Sequence, residues 1–516
     1  MARTGDSRLA VMGLVGMAVV GVLLIFLFPG SPEQDVDYHF LMARTAWVDH
    51  SYFVDVWGRP LFTTFFAPVA LLGIVPARFC ALAISVTVAW QTYRLACDLR
   101  MPRAWLVIPF LLGQQTFFEL FSNLFTETLF ALVLVGALRC HLSGRLRLGM
   151  LVASLLPLAR PEGVFACLFW GLWVLISLAR SGSQLGGVPI ASASQARQRS
   201  IVVTRLGSIV ILGSGVVIWW GAALLLTGDP FFILHNWPAT WHTDMYGHGT
   251  FLSYAQRSQE FAGVILIVPF FLGLVQGFRS WSLSLITAIF LVLFLLHSVF
   301  VKYGLFGEAG FPRYMVSVAP AIAVLTLGGW NTIFTVKILR PLATIAGWVV
   351  VTFSILQSVH YLDGMIWTRD AVAVDEMVNR EWIRLRELRR DTLRMDANES
   401  IPGLIWSNGR MCIVLNRDLK ESPPATNRER LVTLLEKAPV GTIVFWDNEI
   451  GPNWFGTSSA EIEGSGYTLL SSRHYSLPAL IFPPGRFPWI AFLFPPLPSR
   501  EIELSLLQKT AANGRE

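Results

Sequence analysis

Ser31-Pro32-Glu33-Gln34-Asp35-Val36-Asp37-Tyr38-His39 crowds its carboxylates directly behind a stretch, Leu9 to Pro29, that carries no charge at all. Carboxylates at the lip of a bilayer are expensive to hold and tend to mark function. The uncharged stretch is long enough to span. Phe28-Pro29-Gly30 offers no small-x-small cleavage site, so the stretch is expected to stay as a first transmembrane helix. Trp57, Arg59 and Pro60 follow the acidic knot. The arrangement points to a membrane-embedded enzyme rather than a simple anchor or permease.

Composition supports the membrane assignment. The 516 residues are 54% hydrophobic and 14% charged, with a mean hydropathy of +0.55, whereas soluble domains carry roughly a quarter charged residues. Stretches near the ~20 apolar residues of a span are 9–29, 77–97, 104–118, 123–141, 148–159, 163–179, 206–227, 261–277, 281–301, 313–331 and 340–360. The expected fold is therefore an α-helical polytopic membrane protein of about eleven helices. Segment 61–76, broken by Pro68 and Pro76, reads as an interfacial or re-entrant piece.

Orientation follows from Lys and Arg. With the N-terminus cytoplasmic, the inner side collects Arg3, Arg8, Arg94, Arg100, Arg103, Arg139, Arg145, Arg147, Arg180, Arg197, Arg199, Arg205, Arg279, Lys337 and Arg340. The outer side holds only Arg44, Arg59, Arg78, Arg160, Arg257, Lys302 and Arg313. The net charge of +6 is then mostly an imprint of topology, and no nucleic-acid partner is indicated. The five cysteines show no metal spacing and no disulfide framework.

The same topology puts residues 361–516 outside. There the composition changes, and the runs 401–406, 411–415 and 442–446 read as strands while 381–394 and 427–436 read as helices. A small C-terminal α/β extracytoplasmic domain over 361–516 is expected beside a membrane domain over 1–360. The Ser/Gly-rich inner loop 181–200 reads as a flexible connector, and Pro-rich 483–498 as an irregular segment.

Nearly all acids of the membrane part fall on the outer side, although acids contribute little to topogenesis. Glu127 and Glu162 flank helices in otherwise apolar sequence. Glu127 reads either as an acid favoured by a helix dipole or as an acceptor-binding carboxylate. If the knot is helical, Asp35 and Asp37 diverge by about 200° and only one can face a given cleft. Asp35 and His39, four apart, share a face. A carboxylate there can take the proton of an attacking hydroxyl. Arg160 and Arg313 at outer helix mouths suit bidentate phosphate binding or snorkelling. The outer loop 228–260 carries Trp237, Trp241, His242, Tyr246 and His248, whose rings suit sugar stacking or an interfacial belt. Its histidines lack a metal-binding spacing, although a divalent metal stays compatible with the sequence; no cofactor is expected.

The order of these motifs resembles the GT-C glycosyltransferases, the polytopic enzymes that use polyprenyl-phosphate-linked sugars. The resemblance runs over about residues 9–360. It rests on Asp35-Val36-Asp37-Tyr38-His39, Trp57-Gly58-Arg59-Pro60-Leu61, Thr126–Leu129, Arg160–Gly163, Gly228–Pro230 and Arg313, Tyr314 and Pro320. It implies an inverting enzyme of a bacterial plasma membrane that moves a hexose, mannose-like or pentose unit from a polyprenyl-phosphate carrier to a glycan, lipid or protein hydroxyl outside. The family's base, an Asp of the first outer loop, falls on Asp35 with Asp37 as rival, because Val36 separates acids that are usually adjacent. The family's phosphate-binding Arg falls on Arg313, with Arg160 and Lys302 as helpers. His39, Arg59, Glu127, Trp237, His242, Tyr246, His248 and Tyr314 are the remaining substrate-binding candidates. Two other readings compete: a transporter or flippase of a lipid-linked substrate, which calls for charges in mid-helix and matched halves, and a membrane-anchored assembly or sensor protein acting through its tail.

Overall fold

The computed structural model describes residues 4–27, 34–184, 206–238, 241, 248–308, 310–335, 342–343, 345–350, 352, 380, 404–406, 412–413, 428–448, 451–452, 456–477 and 500–510. It divides into two compact units. One comprises 1–25 and 46–359, the other 26–45 and 360–516.

The first unit is helical. Its principal helices are α1 (Thr4–Leu27, mostly in this unit), α3 (Pro60–Ala70), α4 (Ile74–Asp98), α5 (Val107–Leu112), α6 (Gln115–Leu120), α7 (Thr126–Leu142), α8 (Leu146–Ala153), α9 (Leu156–Ala159), α10 (Gly163–Gln184), α11 (Ser214–Thr227), α12 (Ile267–Arg279), α13 (Trp281–Tyr303) and α14 (Ala319–Ile333). α2 (Gln34–Thr45) belongs to the second unit.

Among the described residues five helices are long and apolar enough to cross a membrane: Asp6–Phe26, Ile74–Asp98, Leu206–Thr227, Trp281–Tyr303 and Pro312–Ile333. The protein is thus an integral membrane protein, and several expected spans are shorter or broken. Segment 104–118 breaks at Gly113-Gln114, where Gln114 turns extended (φ −80°, ψ 111°) before α6. Segment 148–159 breaks between α8 and α9, where Pro157 cannot donate to a continuing helix. Segment 261–277 is helical only from Ile267, behind the short helix Ser258–Ala262 and Gly263 with φ +90°. Segment 313–331 opens as a 3₁₀ run, Pro312–Val318, before α14. Most of 340–360, the loop 181–200 beyond Gln184, the helix expected at 381–394 and the Pro-rich 483–498 lie outside the described residues.

α14 is the axis of the unit, and almost all of its side chains are buried. It lies hard against α12: a Cβ on Gly273 would sit 1.7 Å from the Leu325 carbonyl oxygen, and one on Gly329 would sit 1.9 Å from that of Pro269. Only hydrogen fits at such a crossing, the small-residue packing that replaces hydrophobic drive in lipid. Arg313 and Tyr314 lie in the 3₁₀ run that leads directly into this helix.

The second unit combines α2 with a four-stranded sheet of order β1 (Leu404–Trp406), β2 (Ile443–Asp447), β4 (Arg500–Lys509), β3 (Tyr467–Leu477). β1 and β2 are parallel and are joined through α15 (Arg428–Lys437), as a crossover requires. β4 runs antiparallel to both its neighbours. Leu431 and Leu435 of α15 pack on Val444, Trp446, Ile462, Tyr467 and Leu507. Lys509 Nζ donates to the Leu435 and Glu436 carbonyls at 2.8 and 2.7 Å, satisfying the end of α15. Cys412 and Ile413, expected in a strand, are helical; a short apolar run does not distinguish the two by periodicity.

Candidate functional site

Arg160 ends α9 in extended backbone, and the turn Pro161-Glu162 leads straight into α10. Arg160 is only 5% exposed. Nη1 meets Glu127 Oε1 at 2.6 Å and donates to Thr126 Oγ1 at 2.9 Å, while Nε pairs with Glu162 Oε1. Glu127 sits in the first turn of α7, where the dipole favours an acid. Burial alone would raise the Glu162 carboxyl, but Arg160, His297 and Arg59 outweigh it and hold the group down at about 2. The same acids push Arg160 above its ordinary value against the effect of burial.

His297, deep in α13, faces this cluster. Its Nδ1 is 2.9 Å from Glu308 Oε2 and its Nε2 is 3.9 Å from Glu162 Oε1. Its ring stacks on Tyr314 with centroids 5.3 Å apart and planes at 20°. Glu308 also accepts from the buried Tyr254 hydroxyl, which lies 3.2 Å from the Phe311 carbonyl oxygen as well. Arg257, paired twice with Glu260, donates to the Gly310 carbonyl at 3.2 Å. Through these bonds the loop before Arg313 is tied down.

Tyr314 lies between two cations, with Arg160 5.1 Å and Arg313 5.3 Å from its ring centroid. Arg313 is also 5.1 Å from the Phe311 ring and 5.5 Å from the Phe125 ring. Phe125 directly precedes Thr126 and Glu127, so one short segment touches both arginines.

Arg59 caps α3 with φ +59°, ψ 105°, a strained backbone for a side-chain-bearing residue. Pro60 supplies the pre-set first helical residue. Arg59 is 8% exposed; its Nη1 donates to the Val56 carbonyl, and its Nε has no hydrogen-bond partner among the described residues. It lies 5.7 Å from the Trp241 ring centroid. Burial first, then the charge of Arg160, lower it to about 10, with Glu162, Glu127 and Tyr314 offsetting part of the fall. The preceding turn is organised by Asp55, whose carboxylate accepts from the Trp57 and Gly58 N–H groups at 2.7 Å each and from Asn236. Trp237, Trp241 and Phe306 form an edge-to-face cluster with centroids 5.6 to 5.7 Å apart.

The structure therefore brings together Arg59, Glu127, Arg160, Arg313, Tyr314 and Trp237, all named from sequence. Lys302 and His248 are exposed. His242 and Tyr246 lie outside the described residues. Asp35, Asp37 and His39 stand in the other unit, on α2. The knot is helical, and its acids separate: Asp37 is 2% exposed and Asp35 is half-buried. Burial, with Cys412, Asp447, Asp37 and Asp35, pushes the Tyr38 phenol up. Among the described residues no group of three or more His, Cys, Asp or Glu side chains is arranged to hold a metal ion.

His297, Glu308, Tyr254 and Asp55 were not among the sequence candidates. His297 had a signal, since an ionisable group inside a span is a functional pointer by default. Glu308 and Tyr254 are identified only by what they touch.

No protein-family model matches the chain, and no curated protein matches it in sequence. In three dimensions it is similar to ArnT from Cupriavidus metallidurans. The apo structure gives a TM-score of 0.53 at 12% identity over 96% of this chain and 98% of that one. The structure bound to undecaprenyl phosphate gives 0.53 at 12% over 98% of each. At this identity the likeness is one of fold.

Proposed function

We propose that this protein is a membrane glycosyltransferase that takes a sugar from a polyprenyl-phosphate carrier and passes it to an acceptor hydroxyl on the outer face of a bacterial plasma membrane. One observation carries the reading: an ArnT-like fold along nearly the whole chain, whose solved relative binds undecaprenyl phosphate, holds two buried arginines and the half-buried Arg313 at one mouth of its helical unit. Arg59 and Arg160 are cations that a solvent-facing surface would not need to bury.

In this mechanism Asp35 takes the proton of the acceptor hydroxyl as its oxygen attacks the anomeric carbon. The bond from that carbon to the phosphate oxygen breaks on the opposite side, so configuration inverts and polyprenyl phosphate leaves. Asp35 rather than Asp37 is favoured because Asp37 is the buried member of the pair. Arg59 and Arg313 stabilise the charge that grows on the leaving phosphate, the electrostatic effect that usually dominates such steps. The Trp237–Trp241–Phe306 cluster, beside Arg59, offers ring faces to the sugar.

Incubation of the purified protein with a panel of radiolabelled polyprenyl-phosphate sugars and membrane acceptors tests the reading. Labelled glycan, lipid or protein supports it. Asp35→Asn is expected to abolish transfer with expression intact; an active Asp35→Asn beside a dead Asp37→Asn would move the base by two residues.

A further inference from the structure

Arg160 cannot receive a phosphate in the state described here without repelling it. Its guanidinium is held between Glu127 and Glu162, and two carboxylates over one cation leave the trio negative. One acid has to yield before an anion can use this arginine.

The two acids are not equally placed to do so. Glu127 stands in the first turn of α7 beside the Thr126 hydroxyl, 3.3 Å away, where the helix dipole holds it. Glu162 sits in the turn ahead of α10, and a second partner already waits for it. His297 Nε2 is 3.9 Å from the same Glu162 oxygen that pairs with Arg160 Nε. That nitrogen is buried and has no hydrogen-bond partner among the described residues. The imidazole cannot turn away: Glu308 holds Nδ1 at 2.9 Å, the Tyr254 hydroxyl holds Glu308, and Tyr314 covers the ring. With Nδ1 taken up by Glu308, Nε2 is the ring atom left to meet a second carboxylate.

We infer that Glu162 is a two-position carboxylate and that His297 is the positioning residue that receives it: when a lipid phosphate reaches Arg160, Glu162 releases Arg160 Nε and closes on His297 Nε2. The movement needed is about 1 Å, the difference between 3.9 Å and an ordinary hydrogen bond. Arg160 is then presented to the phosphate, and no carboxylate is left unpaired in the buried site, which would otherwise be strongly unfavourable. The inference rests on the proposed function, which brings a phosphate to this mouth.

The test uses the full-length protein in lipid nanodiscs with undecaprenyl phosphate as probe. His297→Asn keeps a donor where Nδ1 stood and removes the one at Nε2; it is expected to weaken binding roughly tenfold, the worth of one charge-assisted hydrogen bond. His297→Gln, which restores a donor near Nε2, is expected to recover most of that loss. In a Glu162→Gln background His297→Asn should add little, because there is no longer a carboxylate to receive. Wild-type affinity in His297→Asn, or the same loss with and without Glu162, would show that His297 acts only by packing and would overturn the inference. Should the His297 variants fail to fold, the wild-type protein decides. A structure with undecaprenyl phosphate bound should show Glu162 about 3 Å from Nε2, and an unchanged separation refutes the switch alone. Absence of any undecaprenyl phosphate binding by the wild type removes the functional reading, and the inference with it.

Discussion

Two arginines at the same mouth, buried to nearly the same degree, are handled in opposite ways. Arg160 has two carboxylates and a hydroxyl about it and is driven more firmly into its charged form. Arg59 has a carbonyl, an indole ring and a cationic neighbour, and falls to about 10. Burial is common to both, so the difference lies in where the acids stand. A charge neutralised at rest is a structural asset that must be released before it can act. A charge left with spare hydrogen-bonding capacity is ready for a ligand and is held there by the fold, at the expense of a strained backbone.

The comparison breaks first at Arg160. Arg160→Ala leaves Glu127 and Glu162 buried without their cation, and breaking a buried pair in this way costs about 3–5 kcal/mol. A large fall in thermal unfolding temperature in detergent is expected, and an unchanged one would mean that the acids are solvated. Arg59→Ala should do the reverse. It is expected to slow transfer ~10²–10³-fold with little loss of stability, since it removes a buried cation that makes no ion pair among the described residues; Arg59→Lys should recover only part of the rate because a point charge cannot reproduce the fork.

The pH response sharpens the contrast. Glu162 is held at about 2 against an ordinary value of 4.5. Its contribution is present above about pH 4.5 and is lost as pH falls toward 2, on the order of 3 kcal/mol at most. Unfolding temperatures from pH 7 to 2 should show this slope in the wild type and lose it in Glu162→Gln. Glu119 gives the smallest effect and the opposite sign. Burial, with Glu260 adding and Gln115 and Arg257 opposing, pushes it up to about 7. The folded state then binds the extra proton between pH 4.5 and 7, so stability declines as pH rises through that window. Glu119→Gln should flatten the decline, a gain of about 1 kcal/mol above pH 7 after solvent screening.

Much of the site could be read in the chain because each mouth residue sits in a local motif. Pro60 announces the helix that Arg59 caps, Arg160-Pro161-Glu162-Gly163 is a corner, and Phe311-Pro312-Arg313-Tyr314 opens a span. Several expected spans are divided among the described residues for the same local reason. Hydropathy registers apolar length, and it does not register that Gly113-Gln114 or Pro157 divides such a stretch into short helices. Lys302 looked equivalent to the arginines because topology placed it outside, yet its side chain is exposed.

The sequence by itself determined the membrane character, the divergence of the two aspartates should their segment be helical, and the local motifs in which the arginines sit. All of these follow from periodicity, charge and turn chemistry within a few residues. Only the tertiary structure decided which acids neutralise Arg160, that His297 and Glu308 stand behind them, and that the knot groups with the C-terminal residues. Arg160 meets Glu127 across 33 positions of chain, and His297 reaches Glu162 across 135. Such pairings depend on how helices cross, as at Gly273 and Gly329, and on which polar groups are then left facing one another out of water.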